Sequence, residues 1–315
     1  MKKKKAISIF LALLSLLLIP SAMLAATVER LAEGVYAFIG KDGSTNSGFI
    51  VTEEGVIVID SQGTRQLAEE LKKGIRDVTP KPVIYVVNTH YHGDHTFGNQ
   101  YFSEARAIIA HENTRRALIE RDKAHKERFK KFFGEESLFG FNLTPPTLTF
   151  TDKLTLWSGG RKVDLIFAGG PAHTDGDIFV YLAAEKIIFA GDLLYKGRLP
   201  LLNDGDTAGA GSAVVELLNT GAQIYVPGHG PLADKNDAGE YMGYLNDLRA
   251  EVKRLMGEGK TLEEVKKEIK LPKYGGYIRY ADWLPLNAEK VYAEILRVEQ
   301  ENRYIPGGEP APLKK

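Results

Sequence analysis

Short runs of apolar residues, each closed by glycine, proline or an acidic residue, recur along the first two thirds of the chain. β-branched and aromatic side chains dominate these runs, which is typical of β-strands. Strands are therefore predicted over 35–39, 48–51, 55–59, 83–87, 107–110, 148–150, 153–156, 163–167, 178–182, 187–189 and 224–226. The run 83–87 is apolar throughout, which predicts a strand that is buried on both faces.

Apolar residues spaced three or four positions apart predict the helices. Leu67, Leu71 and Ile75 share one face of the first predicted helix, at 66–78. A highly charged helix predicted at 114–132 is expected to lie outside the sheet core. The other helices are predicted over 208–219, 237–256, 261–269 and 285–302.

The order of these elements predicts one main domain. Two halves, each a meander with a helix, lie near 27–145 and 146–235, and no linker separates them. The pattern alone therefore indicates an α/β fold around one core. Residues 27–235 are predicted to form the domain, and residues 236–315 a helical extension packed on it.

The first 25 residues have the order of a secretory signal peptide. Four lysines precede an apolar stretch at 6–19, and Pro20 and small residues follow it. The stretch is short for a spanning helix, which needs about 20 residues. Residues 1–25 are therefore predicted to be removed on export to the periplasm or medium, with no stable membrane span afterwards. The alternative is an uncleaved anchor.

Composition narrows the possible partners and metal ligands. The 41 basic and 41 acidic residues balance, and without the four N-terminal lysines 37 basic residues leave a net charge of −4. This balance does not favour nucleic acid as a partner, so a small-molecule substrate is expected. With no cysteine, any metal must be bound by histidine or carboxylate. The oligomeric state is left open.

A dense group of such ligands follows the buried strand at 83–87. In an extended segment, His90 and His92 point to the same side, since side chains alternate with a period of two. Gly93 permits a tight turn that returns Asp94 and His95 to the same volume. Four ligands exceed the three protein ligands of a typical catalytic zinc, which indicates two adjacent metals.

Three further candidate ligands lie on loops at predicted strand ends. His173 precedes the strand at 178–182, Asp192 follows the strand at 187–189, and His229 follows the last strand. Catalytic residues commonly occupy such loops on a rigid scaffold. Together with the central group they complete a candidate site for two metal ions.

In this order, the seven residues resemble the ligand pattern of the metallo-β-lactamase superfamily. Segments 46–51 and 58–60 also resemble its opening strands, and the resemblance covers 34–232. It implies a four-layer αββα sandwich. It also implies that His90, His92 and His173 hold one zinc, that Asp94, His95 and His229 hold a second, that Asp192 bridges them, and that Asp60 orients a ligand histidine.

The resemblance implies a di-zinc hydrolase. A metal-bridging hydroxide would attack the carbonyl of an amide, lactam, lactone or thioester, with Asp94 orienting the nucleophile. Two alternatives remain open: a persulfide-dioxygenase-like oxidoreductase with a single non-haem iron, and a metal-binding accessory protein without turnover.

Departures within the family leave the substrate open. Asp192 stands where similar zinc β-lactamases have a cysteine, and Tyr195 stands where they have a carboxylate-binding lysine. Segment 198–206 resembles exported hydrolases of the quinoprotein-relay branch. β-Lactam hydrolysis is therefore possible, and specificity is expected to lie in loops 40–46, 133–146 and 195–206.

Several aromatic residues and two other histidines complete the sequence predictions. His125 is expected on a solvated helix face, His111 is not expected to bind metal, and Trp157 and Trp283 are predicted core residues. The candidate pocket walls are Tyr91, Phe97, Phe133, Phe139 and Tyr195.

Overall fold

A computed structural model of the chain describes residues 26–303. The predicted signal peptide and the end of the predicted extension lie outside the described residues. The strands are β1 Thr27–Ala32, β2 Val35–Ile39, β3 Ser47–Val51, β4 Val56–Ile59, β5 Val83–Val87, β6 Ala107–His111, β7 Leu148–Phe150, β8 Lys153–Ser158, β9 Arg161–Phe167, β10 Ile178–Leu182, β11 Ile187–Tyr195 and β12 Ile224–His229. The helices are α1 Arg65–Val78, α2 Gly93–Thr96, α3 Glu112–Glu120, α4 Asp122–Phe133, α5 Thr207–Asn219, α6 Lys235–Gly257, α7 Leu262–Glu268 and α8 Tyr280–Arg303.

The strands form two sheets. The first has seven strands in chain order, antiparallel from β1 to β4 and parallel from β4 to β7. The second has five strands in the order β12-β11-β10-β9-β8, and only its β11–β12 pair is parallel. Parallel pairs require a crossover connection, which α1 and α5 supply between β4 and β5 and between β11 and β12.

The two sheets face each other across an apolar core. Strand β4 shows why the sequence folds this way, because both of its faces are buried. Ile57 and Ile59 point into the core between the sheets, whereas Val56 and Val58 point outward and pack against α1. A strand covered on both sides needs apolar residues at every position, as its sequence VIVI provides.

Helices cover the outer face of each sheet. Leu71 and Ile75 of α1 pack on the first sheet. On the second sheet, α5 and α6 lie over β11, and α8 packs on α6 and α7. The result is the predicted α/β fold, a four-layer αββα sandwich with C-terminal helices. The predicted boundary at 235 stays a prediction.

Some predicted elements differ from the observed ones. The charged helix at 114–132 is two helices, α3 and α4, which meet at Arg121, where the backbone is not helical (φ −104°, ψ 11°). Strand β1 was not predicted, because its sequence TVERLA is polar and mostly exposed. Trp157 is also not a core residue, since it lies on β8 with 67% of its surface exposed.

Two strands continue further than predicted, into the candidate site. β11 extends to Tyr195 and β12 ends at His229, so Asp192 and His229 belong to strands and not to loops. The register between these strands shifts around Gly191, whose φ of 52° interrupts regular pairing. The glycine at this irregularity explains why a loop, and not a strand, was predicted at the carboxyl end of β11.

None of the helices within residues 26–303 is long and apolar enough to cross a membrane.

Candidate metal centre

All seven predicted ligand residues meet at one edge of the sandwich, where β5, β11 and β12 end. His90 and His92 lie in the segment after β5, and Asp94 and His95 lie on α2. Gly93 is required at this turn, because a Cβ atom there would lie 2.7 Å from the Phe97 ring. Packing, and not a left-handed backbone conformation, therefore requires glycine at this position, where α2 begins.

The ligand atoms form two groups, and within each group they lie within 4.8 Å of one another. One group contains His90, His92, His173 and Asp192, and the other contains Asp94, His95 and His229. In the first group, His173 Nε2 lies 2.9 Å from His92 Nδ1 and 3.0 Å from Asp192 Oδ2.

The Asp192 carboxylate lies between the two groups. Its Oδ2 faces the first group, 3.0 Å from His173 Nε2 and 3.6 Å from His90 Nε2. Its Oδ1 faces the second group, 3.2 Å from His95 Nε2 and 3.5 Å from His229 Nε2. One carboxylate thus has an oxygen available to each group.

These residues fit a divalent metal by both donor type and polar satisfaction. Within residues 26–303, the buried atoms His90 Nε2, His95 Nε2 and Asp192 Oδ1 have no hydrogen-bond partner. Buried polar atoms are normally satisfied, because leaving them unpaired costs free energy. Imidazole and carboxylate donors that converge in this way suit zinc or a similar borderline cation.

Neighbouring groups hold three of the histidines through their other ring nitrogen. Asp60 Oδ2 lies 2.8 Å from His95 Nδ1, so the structure places Asp60 against a candidate ligand, as the resemblance implied. The Gly43 carbonyl lies 2.9 Å from His229 Nδ1. Such contacts fix the tautomer and the ring orientation of a metal-binding histidine.

The third of these contacts was not predicted from the sequence. Asp204, in the segment after β11, lies 3.0 Å from His92 Nε2 and forms an ion pair with Arg128 of α4. Sequence reasoning had placed 195–206 among the specificity loops, but no local motif marks Asp204, because its partner lies 112 residues away.

In the protein without metal, the pKa values of His92 in the first group and His95 in the second are shifted in opposite directions. Burial lowers the pKa of His92 to about 3, so its ring is neutral and able to bind a cation. Burial opposes protonation of His95 as well, but Asp192 and Asp94 raise its pKa well above the usual value. A metal ion in the second group would therefore displace protons.

The Asp192 carboxylate stays ionised although it is buried. Burial alone would raise its pKa, but the surrounding histidines, His95 first, lower it well below the usual value. Tyr195 Oη donates a hydrogen bond to Asp192 Oδ2 at 2.5 Å. Burial and Asp192 raise the pKa of Tyr195, so this phenol remains a neutral donor.

A cleft of about 220 Å³ opens above the two groups. Of the five predicted pocket walls, Phe133 and Tyr195 line it. Tyr91 and Phe97 are buried behind it, and Phe139 is exposed to solvent with 78% of its surface accessible. Arg198 and Leu201 of the predicted specificity loop 195–206 also line the cleft. Trp283 is buried, as predicted, but also reaches the cleft, and sequence reasoning missed Arg128, Phe129, Phe132 and Arg279.

The expectation for His125 was wrong. This side chain is buried, lines the cleft and stacks on Tyr91 with ring centroids 4.5 Å apart. Burial lowers its pKa to about 4. The charged neighbours in sequence misled the prediction, because one of them, Arg128, also lines the cleft, and the sequence does not show which face of α4 packs inward. His111 caps α3, accepting a hydrogen bond from the Asn113 N–H at 3.1 Å.

Known proteins resemble the chain in sequence. The chain is 28% identical over 205 residues to a metallo-beta-lactamase type 2 of Bacillus sp. (strain 170), which covers 63% of this chain and 71% of that protein. It is 26% identical over 198 residues to the human acyl-coenzyme A thioesterase MBLAC2, which covers 56% of this chain and 70% of that protein.

Solved structures share the fold. A metallo-beta-lactamase from Pontibacter korlensis matches 70% of this chain and 99% of its own, with a TM-score of 0.59 and 24% identity. The sec-alkylsulfatase Pisa1 from Pseudomonas sp. matches 86% of this chain but only 50% of its own, with a TM-score of 0.69 and 17% identity. The second match therefore extends further along this chain than the first.

The model of one protein family, described as the metallo-beta-lactamase superfamily, matches residues 40–229. This range contains the predicted ligand residues from His90 to His229 and both sheets apart from strands β1 and β2. The chain belongs to the metallo-beta-lactamase superfamily.

Proposed function

We propose that the protein is a di-zinc hydrolase that cleaves a carbonyl substrate. His90, His92 and His173 would hold one ion, Asp94, His95 and His229 the other, and Asp192 both. The observation that carries this proposal is the position of Asp192, which turns one oxygen toward each group of histidines. A carboxylate shared in this way supports two adjacent ions over one.

The bound metal would supply Lewis-acid polarisation of the substrate and a water that ionises near neutral pH. The chain has no cysteine to act as a nucleophile, and water held at the metal centre is the proposed nucleophile. The side chains of the protein would hold the ions, orient the reacting groups and stabilise charge.

Asp94 is the proposed catalytic residue. Burial disfavours its ionised form, but His95 and His229 lower its pKa well below the usual value, so the carboxylate is ionised at neutral pH. Thr45 Oγ1 donates a hydrogen bond to Asp94 Oδ2 at 2.7 Å and fixes the side chain. About a quarter of Asp94 is exposed (24%), where it can orient a water molecule in the cleft.

The relatives support a carbonyl substrate. One is named as a β-lactamase and another as an acyl-coenzyme A thioesterase, and both names describe attack on an acyl carbon. Amides, lactams, lactones and thioesters are accordingly the proposed substrates. β-Lactams belong in the test panel, although Tyr195 replaces the lysine expected in similar lactamases.

Sulfate-ester hydrolysis is the second candidate. It is favoured by the likeness to the alkylsulfatase Pisa1, which covers 86% of this chain. The aromatic side of the cleft, with Phe129, Phe132 and Phe133, would suit an alkyl chain.

Metal content paired with turnover tests the proposal. The purified mature protein would be analysed by plasma mass spectrometry and assayed with a chromogenic cephalosporin, a lactone, a thioester and an alkyl sulfate. We expect about two zinc ions per chain and chelator-sensitive turnover. One iron per chain would favour the dioxygenase alternative, and two zincs without turnover on a wide panel would favour the accessory protein.

Export is proposed alongside this function, from residues 1–25 alone. Intact mass of the protein recovered from the periplasm or medium tests it. The expected mass lacks a segment close to the first 25 residues, whereas a full-length, membrane-associated product would indicate an uncleaved anchor.

A further inference from the structure

The two sides of the cleft above the metal centre differ in character. Helix α4 contributes an aromatic side with Phe129, Phe132 and Phe133, and its Arg128, which also lines the cleft, is paired with Asp204. The adjoining side carries Arg198 and Arg279 around Trp283, whose ring centroid lies 6.4 Å from that of Phe132. Residues 279 and 283 lie outside the range 40–229 that the family model matches. The second side is thus largely a feature of the C-terminal helices.

Backbone pairing places the two arginines next to each other. The Leu199 N–H donates to the Ile278 carbonyl at 3.0 Å, and the Ile278 N–H donates to the Gly197 carbonyl at 3.0 Å. Arg198 lies between Gly197 and Leu199, and Arg279 directly follows Ile278, so this pairing brings the two arginines close together. Both guanidinium groups contact the Trp283 ring, at 4.7 Å for Arg198 and 5.7 Å for Arg279.

Arg198 lies close to the metal centre and retains an unused donor. Its Nη1 donates at 2.7 Å to the Gly43 carbonyl, the same oxygen that lies 2.9 Å from His229 Nδ1. Its Nε is buried and has no hydrogen-bond partner among residues 26–303. In that part of the chain Arg198 forms no ion pair, and Arg279 pairs only with the exposed Asp282, at 3.2 Å.

Two neighbouring cations with little compensation from the chain favour the binding of an anion. Burial lowers the pKa of Arg198, and the like charge of Arg279 lowers it further. Tyr195, Asp94 and Asp192 act in the opposite direction, but the Tyr195 phenol is neutral and both carboxylates belong to proposed metal ligands, whose charge the ions would offset. Arg279 also has a φ of 68°, in the left-handed region that non-glycine residues rarely adopt. Such backbone strain tends to occur at ligand-binding positions.

We propose that Arg198 and Arg279 bind an anionic group of the substrate, a carboxylate or a sulfate, while the aromatic side formed by α4 binds an apolar part of the same molecule. This inference rests on the proposed function, because the subsite opens onto the same metal centre. A guanidinium binds either oxyanion through paired N–H donors, so the chemistry is shared. The substrate class is then an amphipathic acid or sulfate ester.

Trp283 provides a readout of binding that does not depend on turnover. The chain has two tryptophans, and the other, Trp157, is largely exposed on β8. In a W157F parent, fluorescence therefore reports on Trp283 alone. The metal-loaded parent would be titrated with octanoate, octyl sulfate and 1-octanol, which share an apolar chain and differ in the head group.

We expect a saturable change with at least one of the two anions, and binding about tenfold weaker for 1-octanol, because a charged hydrogen bond is lost. The anion that binds more tightly identifies the anionic group, carboxylate or sulfate, that the two arginines accept. Arg198→Met and Arg279→Met should each weaken binding of the anion about tenfold and leave that of 1-octanol unchanged. Arg254→Met is the matched control, since Arg254 lies on α6 and pairs with Glu251 and Glu258.

Equal binding of anion and alcohol would overturn the proposal, as would parental anion affinity in both arginine variants. Repeating the titration after chelation separates this result from the proposed function. Arginine-dependent binding without any hydrolysis would leave the subsite standing and remove the hydrolase. Hydrolysis together with anion affinity that is unchanged in both arginine variants would overturn the subsite and leave the hydrolase standing. Anion binding that depends on the metal but on neither arginine would have the same meaning. Arg279 is 42% exposed, so its variant is expected to fold even if the Arg198 variant does not.

Discussion

The Nε2 atom of His92 lies 3.0 Å from a carboxylate oxygen of Asp204, although the two residues are 112 positions apart in the chain. The opposite ring nitrogen, Nδ1, faces His173 and the candidate metal centre. Asp204 is held in turn by Arg128 of α4. Through this arrangement the charged helix α4 helps to orient a residue proposed to bind metal.

Asp204→Asn is therefore expected to weaken zinc binding. The substitution keeps the shape but removes the negative charge that orients His92 and increases its basicity. Loss of such a partner typically costs about 10- to 100-fold in metal affinity. Competition between the apoprotein and a chromophoric chelator measures it.

Asp206→Asn is the matched control, because Asp206 lies two residues further on and caps α5 through the N–H groups of Ala208 and Gly209. Asparagine caps a helix as well as aspartate does, so zinc affinity should stay at the parental value. If D204N also kept the parental affinity, the orienting role of Asp204 would be disproved.

Gly228→Ala is expected to abolish binding of both metals. A Cβ atom at Gly228 would lie 1.9 Å from Asp192 Oδ1 and 2.8 Å from the backbone carbon of Gly191. The carboxylate between the two groups must then move. Zinc content after dialysis measures the effect, and circular dichroism checks that the fold remains.

The control for this change is Gly239→Ala on α6, where a new Cβ would meet no atom within 4 Å. It should bind zinc normally and be more stable by up to about 1 kcal/mol, because alanine favours a helix. About two zinc ions retained by G228A would show that Asp192 is not constrained as the structure indicates.

Local patterns in the sequence predicted every strand of the described residues except β1 and brought forward the residues of the candidate centre, whereas the four-layer arrangement came from the family resemblance. His90, His92, Asp94 and His95 lie in one short segment, so alternation and a single glycine predict that they converge. The run VIYVV of β5 likewise predicts a buried strand. In each case the information is contained within a few neighbouring residues.

Contacts between distant segments were not predictable in this way. Asp204 reaches His92 only because the segment after β11 folds back beside α4. The inward face of His125 depends on how α4 docks, which the charged residues around it do not reveal. Trp283 reaches the cleft through the packing of α8. The periodicity of apolar residues predicts this helix, but it does not predict which part of the protein the helix packs against.

Removal of the metal ions is expected to destabilise the fold. Without them, buried imidazole and carboxylate atoms face one another with unmet hydrogen-bonding capacity. At free metal about 1,000 times its dissociation constant, each ion would add about 4 kcal/mol to the free energy of unfolding. Chelation should then lower the Tm by roughly 10 °C or more, and zinc should restore it. An unchanged Tm would mean that the groups bind no metal tightly.

Asn46→Ala is expected to loosen the contact between the two sheets next to the centre. The buried Asn46 amide donates to the carbonyls of Pro227 and Gly230, both at 2.8 Å, and accepts from the Gly40 N–H at 2.9 Å. Alanine leaves these three backbone groups unpaired at about 1 kcal/mol or more each, so the free energy of unfolding should fall by about 3 kcal/mol. Urea denaturation of the chelated protein measures this without a contribution from metal.

Asn236→Ala is the control, because Asn236 lies at an exposed position at the start of α6, and its substitution should change stability by no more than about 0.5 kcal/mol. Equal stability of the two variants would mean that the Asn46 hydrogen bonds contribute nothing net, and that the segment 46–51 owes its position to packing alone.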